Sequence, residues 1–245
     1  MPDSVGVALW DTLPSTQDAA MSVAEKLIDR GAPVSPLLIA AHRQTGGRGQ
    51  DTRTWYSPQG GYYGSVLLPV QPENLSALPL KVGLTLTRFL QSLHPLDLSL
   101  RWPNDLLLAG KKVAGILINV RGEIAVVGLG VNLFIAQSDL NSEKLQDAAN
   151  LSDRASLFAD FSFFHSAVIH TLIPRLQTAM AQTFPREEWE SMSAFRPGAR
   201  LSWLSQGVRQ EGIYRGISEQ GYLCVTREGV DLQIVSASLV REESS

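Results

Sequence analysis

Two stretches of the chain carry residue types that could hold an anion. The first is Gln44-Thr45-Gly46-Gly47-Arg48-Gly49-Gln50-Asp51-Thr52-Arg53-Thr54-Trp55, and the second is Arg101-Trp102-Pro103-Asn104-Asp105. Glycines at 46, 47 and 49 let the backbone come close to a ligand, and their amide N–H groups can face negative charge. Arg48 and Arg53 each add a guanidinium, which can grip a phosphate through two parallel hydrogen bonds. Trp55 closes the loop with a flat aromatic face. A surface loop solvated by its arginines has the same composition, and the loop alone does not choose between the two readings. It is neither a Walker loop, since no Gly-Lys-Ser/Thr follows, nor a dinucleotide fingerprint.

The elements that must position these residues can be read from the periodicity. Leu37 to Ala41 is an apolar run that suits a buried strand leading into the glycine loop. Before it, Val5 to Trp10 reads as a strand, and Ser15-Thr16-Gln17-Asp18 as a helix start, with Ser15 as N-cap and the Asp18 carboxylate complementing the helix N-terminus. Ala19, Ala20, Val23, Ala24, Leu27 and Ile28 give that helix one apolar face, and Gly31 ends it. By itself Ser15-Thr16 suits a cap as well as a site. Further on, Tyr63 to Leu68 reads as a strand, Pro79 to Leu93 as a helix, and Leu98 to Trp102 as a strand running into Pro103-Asn104-Asp105. Antiparallel strands follow over Leu106–Leu108, Lys112–Ile118 and Ile124–Leu133, joined by short turns. Lys112 sits beside a hairpin tip. Gly115, Gly128 and Gly130 weaken their strands unless something must approach closely, so they point to a ligand. Residues 134–154 read as a polar loop, 155–182 as helix bent near Pro174, and Glu187 to Ala194 as a further helix. From Arg196-Pro197-Gly198 onward the pattern changes to short strands, namely Arg200–Trp203, Val208–Gly216, Gly221–Thr226 and Leu232–Val240. These suggest a small barrel.

The 245 residues suffice for a large unit and a small one, and the expected boundary divides 1–196 from 197–245. A 44% hydrophobic and 18% charged composition is that of a globular protein. With a formal net charge of −3 the chain carries no overall footprint for nucleic acid. Cys224 is the single cysteine, which suits a small apolar filler in a reducing compartment and permits no internal disulfide. No apolar run is long enough to span a bilayer. No signal peptide is recognisable, and a cytoplasmic location is expected.

Taken together, Ser15-Thr16-Gln17, the loop from Gln44 to Trp55, Arg101-Trp102-Pro103-Asn104-Asp105, Lys112-Val113-Ala114-Gly115-Ile116-Leu117 and Gly128-Leu129-Gly130-Val131-Asn132 resemble the biotin–protein ligases. The resemblance covers nearly the whole chain, and Trp-Pro-Asn-Asp followed by Lys-x-Ala-Gly-Ile-Leu is its most specific part. It implies an α/β catalytic domain like that of class II aminoacyl-tRNA synthetases, followed by an SH3-like barrel ending at Ser238-Leu239-Val240-Arg241. Larger members carry an N-terminal helix-turn-helix; Met1 stands only a few residues before the first strand, so a chain without its own DNA reader is expected.

The implied chemistry has two steps. Biotin is activated by ATP to biotinyl-5′-AMP, and the acyl group then passes to one lysine of a biotin carboxyl carrier protein. By resemblance Ser15, Thr16, Gln17, Gln44, Gly47, Arg48, Gly49, Gln50, Lys112, Gly115 and Gly128 belong to the biotin site. Arg48, Arg53, Trp55, Asn104, Lys112, Asn132 and Arg241 belong to the ATP site. Lys112 and Arg48 carry the catalytic charge, Mg²⁺ accompanies the phosphates, and Asp105 is a candidate metal ligand.

The chain departs from the family pattern at four places. Gln17 replaces Asn, Arg101 replaces Lys, and Thr52 stands where Gly is common. Gln50 stands where a second arginine of the loop is usual, which removes a phosphate contact. Lipoate ligases and octanoyltransferases share the fold but lack the Gly-Arg-Gly loop with its Trp and the Trp-Pro-Asn-Asp block. A biotin-binding regulator without catalysis is the other alternative, and Gln50 is the feature that favours it.

Overall fold

Strand periodicity and two helix faces account for most of the architecture. The computed structural model describes residues 4–50, 53–71, 75, 77–145, 147–205 and 208–242; Asp51 and Thr52, singled out above, lie outside the described residues. In chain order the first unit contains β1 (Gly6–Leu13), α1 (Thr16–Asp29), β2 (Leu37–Gln44), β3 (Gly61–Pro69), α2 (Leu78–Leu93), β4 (Leu98–Arg101), β5 (Asp105–Leu108), β6 (Lys111–Arg121) and β7 (Ile124–Asn132). Helices α3 (Gln137–Leu140), α4 (Phe161–Ala167), α5 (Ile173–Ala181) and α6 (Arg186–Ser191) follow. The last strands are β8 (Arg200–Ser205), β9 (Val208–Ile217), β10 (Leu223–Arg227), β11 (Val230–Ile234) and β12 (Ser238–Glu242).

The first seven strands form one sheet in the order β1-β2-β3-β7-β6-β5-β4. The β1–β2 pair is parallel and every other pair antiparallel. Successive side chains of a strand point to opposite faces, and the core divides accordingly. Ile39, Leu67 and Val126 pack under α1 with Ala20 and Ala24. Leu38, Ala40, Val66, Leu68 and Val127 face the larger core built with α2, α4 and α5. Burying each such leucine contributes about 2 kcal/mol. Ile28, expected on the inner face of α1, is 46% exposed and lies beside Gly122 at the β6–β7 turn.

Helix α1 starts and stops where its residues dictate. Ser15 is extended and its side chain accepts from the Asp18 N–H. At the other end Gly31, at φ +58°, lets its own N–H reach Ile28 O and that of Ala32 reach Leu27 O, a Schellman closure.

Three expectations are corrected. The 134–154 segment is not featureless: it holds α3 and a 3₁₀ turn at Glu143–Leu145. Asn150 pins it by exchanging two side-chain hydrogen bonds with the Ile135 backbone. The 155–182 helix is broken into a 3₁₀ turn, α4, a π turn at Val168–Leu172 and α5. Pro174 has no N–H to give, and the wider π turn immediately precedes its helix. Finally, 232–240 is two strands rather than one, since the chain leaves the sheet after Ile234 and returns at Ser238 as β12.

The second sheet runs β11-β10-β9-β8-β12, antiparallel throughout. Among the described residues no ladder joins β11 to β12, so the expected barrel is an open sheet, with bulges in β9 and β12 breaking the register. Its apolar face, with Leu201, Trp203, Tyr214, Ile217, Leu223 and Val225, is continuous with the main core. Trp102 Nε1 donates to Gly221 O at 2.9 Å, and Leu100 bridges Ser193. The Trp102-Pro103-Asn104-Asp105 block thus sits where the two sheets meet. No helix among the described residues is long and apolar enough to cross a membrane.

Candidate active site

Strand β2 delivers Gln44 to the sheet edge, and the glycine loop then folds back on itself. Gln44 N–H bonds Ser57 O, the Trp55 N–H reaches Gly47 O at 2.9 Å, and the Gly49 N–H reaches Arg53 O at 2.8 Å. A Cβ on Gly47 would lie 2.4 Å from Trp55 O and 2.6 Å from Ser57 Oγ, so this turn admits only glycine.

The loop covers a cleft of about 200 Å³ on the sheet. One set of lining groups is neutral and mutually hydrogen-bonded. Gln44 Oε1 accepts from the Thr16 N–H at 2.8 Å and lies 3.1 Å from Thr16 Oγ1. Thr16 Oγ1 stands 3.0 Å from Ser65 Oγ, and Ser65 Oγ donates to Gln17 Oε1 at 2.9 Å. Gln17 Nε2 donates in turn to Asn119 Oδ1 and to Val126 O. The N-terminus of α1 presents Thr16 and Gln17 to this set, which is why the Ser15 cap matters.

A second set is charged. Arg48, Arg53, Arg101 and Lys112 all line the cleft, and among its described lining residues Asp105 is the sole carboxylate. Arg101 Nη2 lies 2.7 Å from Asp105 Oδ2 and Lys112 Nζ 2.6 Å from Oδ1. The latter is a close charge contact off the hydrogen-bond direction. Lys112 Nζ also stands 4.8 Å from the centre of the Trp55 ring, a cation–π contact. Arg48 turns back to α1 and pairs with Asp18 at 2.9 Å; that carboxylate's hydrogen bond and charge raise the guanidinium's pKa. Arg53 Nη2 donates to Gln50 Oε1 at 3.2 Å, so its charge meets only a neutral amide there. Four cations against the two carboxylates of Asp105 and Asp18 leave the cleft positive.

Thr16, Gln17, Gln44, Arg48, Gly49, Gln50, Arg53, Trp55, Asn104, Asp105, Lys112, Gly115 and Gly128 are therefore brought to one place. Three expected site residues stand apart from the lining. Ser15 is buried as the helix cap, Gly47 lies beneath the loop, and Asn132 is buried behind Lys112. Asn132 Nδ2 donates weakly to Lys112 O, and its Oδ1 has no partner among the described residues. Arg241 belongs to β12, but its side chain is outside the described residues.

The strand glycines explain themselves differently from the expectation. A Cβ on Gly115 or Gly130 would fall 2.5 Å from the Trp55 indole, and one on Gly128 2.4 Å from Gln17 Oε1. Their bare backbone thus receives two side chains of the site itself. Sequence reasoning missed Ser65, Asn119 and the wall formed by Ala237 and Leu239, and noted Arg101 only for its charge. Ser65 could have been found, because in register it faces Gly128 across the β3–β7 ladder. Ala237 and Leu239 reach the cleft through tertiary placement of the second sheet, for which no local signal exists.

Comparison with known proteins agrees with this geometry. The model of the biotin/lipoate A/B protein ligase family matches residues 10–133. The bifunctional ligase/repressor BirA of Escherichia coli is 30% identical over 251 residues, covering 93% of this chain and 71% of the relative. BirA of Bacillus subtilis is 28% identical over 240 residues, covering 94% and 72%. Among solved structures, the biotin protein ligase from Aquifex aeolicus in complex with biotin and ATP superposes with a TM-score of 0.77 at 27% identity, covering 97% of this chain and 99% of that one. The chain belongs to the biotin/lipoate A/B protein ligase family.

Proposed function

We propose that this protein joins biotin to the lysine of a carboxylase carrier protein, using ATP. The observation that carries the reading is the pairing in one cleft of a neutral amide–hydroxyl set with a lining that includes Arg48, Arg53, Arg101 and Lys112. The neutral set suits a ureido ring, which offers N–H donors and a carbonyl acceptor. The cations suit a carboxylate and a triphosphate brought together.

In the first step a biotin carboxylate oxygen bonds to the α-phosphorus, and the bond from that phosphorus to the pyrophosphate oxygen breaks. Lys112, with Arg48, Arg53 and Arg101 around it, supplies preorganised positive charge where the phosphoryl oxygens gain negative charge. On loading, the Lys112 ammonium exchanges Asp105 for a phosphate oxygen. In the second step the neutral carrier amine bonds to the acyl carbon, the bond to AMP breaks, and the amine gives up a proton. Trp55 offers its face to adenine, and Asn132, buried behind Lys112, supports that side from within through its bond to Lys112 O.

Among the described lining residues Asp105 is the one carboxylate, and once Lys112 turns to phosphate it could join the phosphate oxygens in holding Mg²⁺. Mg²⁺ enters as part of the ATP substrate, on its phosphate oxygens.

The same reading divides the chain into a catalytic unit over 1–196 and a smaller unit over 197–245 whose last strand lends a wall to the cleft. It places the protein in the cytoplasm, where its carrier and ATP are found, without nucleic acid as a partner. Lipoate, the alternative substrate within the family, has a dithiolane with no N–H to offer the Thr16–Ser65–Gln17 set. Biotin-dependent exchange of pyrophosphate into ATP tests the reading. Exchange with biotin and none with lipoate is expected; exchange with neither would leave a binding protein rather than a ligase.

A further inference from the structure

The hydroxyls of Thr16 and Ser65 form one directed chain. Gln44 Oε1 already accepts the Thr16 N–H at 2.8 Å, so Thr16 Oγ1 can donate to Ser65 Oγ while Ser65 Oγ donates to Gln17 Oε1. Each oxygen that must accept then has a hydrogen, and the Gln17 carbonyl keeps a second lone pair for a ligand.

The Gln17 amide decides where that lone pair points. Both hydrogens of its Nε2 are spent on acceptors away from the cleft, Asn119 Oδ1 at 2.9 Å and Val126 O at 3.1 Å. Its carbonyl is thereby turned toward Ser65 and the space over Gly128. Asn119 lies on β6 outside the cleft lining and among the described residues meets the site through its bond to Gln17.

We propose that Asn119 is a positioning residue: together with the Val126 carbonyl it holds the Gln17 carbonyl toward the cleft, so that Gln17 and Ser65 accept a ureido N–H of biotin. This rests on the biotin reading above. The ligand's N–H bonds the spare lone pair of Gln17, and the Thr16 hydroxyl can turn from Ser65 to donate to the ligand's carbonyl, which leaves Ser65 Oγ open to accept.

The test uses the full chain with Asn119→Leu and Asn119→Asp. KM for biotin, kcat, and the preference for biotin over 1′-N-methylbiotin, which lacks one ureido N–H, are measured by pyrophosphate exchange. Asn119→Leu should raise the biotin KM roughly fivefold to tenfold, leave kcat within about twofold, and narrow the preference. Asn119→Asp keeps an acceptor and should recover most of the affinity. An unchanged KM and preference in Asn119→Leu overturns the proposal. So does a loss of kcat and melting temperature that Asn119→Asp shares, since that is a structural role. If the unmodified chain itself shows no response to biotin, the function is misread, and the inference falls with it.

Discussion

Lys112 Nζ stands 2.6 Å from Asp105 Oδ1, so the lysine best placed to meet a phosphate is held in waiting by a carboxylate. The Trp55 ring flanks the same ammonium. A charge fixed before the substrate arrives costs little reorganisation when negative charge develops.

Lys112→Ala should therefore slow formation of biotinyl-5′-AMP by about 10²–10³. Single-turnover measurement with saturating ATP and biotin checks this. A rate within a few-fold of the parent would remove Lys112 from the chemistry.

Gly130→Ala should weaken ATP binding roughly tenfold, because its Cβ falls 2.5 Å from the Trp55 indole and must push the ring away. The pair is a double-mutant cycle: with Trp55→Ala already present, the same alanine should cost little. Additive losses would mean that the glycine serves the backbone and not the tryptophan.

Gln50→Arg should hold biotinyl-5′-AMP longer. The neutral amide makes a weaker phosphate contact than an arginine, a difference of about 1–2 kcal/mol or roughly tenfold in dissociation rate. Gln50 also engages Arg53, so a second arginine sets like charges side by side until the phosphate separates them. Dissociation no slower than in the parent would show that Arg53 already fills the place.

A different region sets acid sensitivity. His165 Nδ1 bonds Tyr62 OH at 3.1 Å, and burial, with His42 nearby, lowers the imidazole's pKa below its usual 6.5. The unfolded chain then binds the proton more readily than the folded one, so stability is present at neutral pH and falls as pH drops through and below 6.5. His165→Gln keeps an acceptor for Tyr62 and should flatten the acid side of the melting-temperature profile between about pH 7 and 5. An unaltered profile would assign the sensitivity elsewhere.

Local signals proved legible where one residue controls one backbone feature. Ser15 and Gly31 bracket α1 as expected. The alternation of β2 and β3 sorts Leu38 and Val66 from Ile39 and Leu67 onto the two faces. The glycine loop and the Trp-Pro-Asn-Asp block do meet at one cleft, which no spacing in the sequence requires. What could not be read depends on partners far along the chain. The polar 134–154 segment is ordered by Asn150 reaching back to Ile135, and the break in 232–240 follows from β12 pairing with β8. The Arg48–Asp18 and Lys112–Asp105 pairs are likewise tertiary facts.

Leu239 and Ala237 form one wall of a cleft whose other groups begin at Thr16. A chain clipped before β12 would therefore lack one side of its reaction chamber, and its reactive intermediate would be left open to water there.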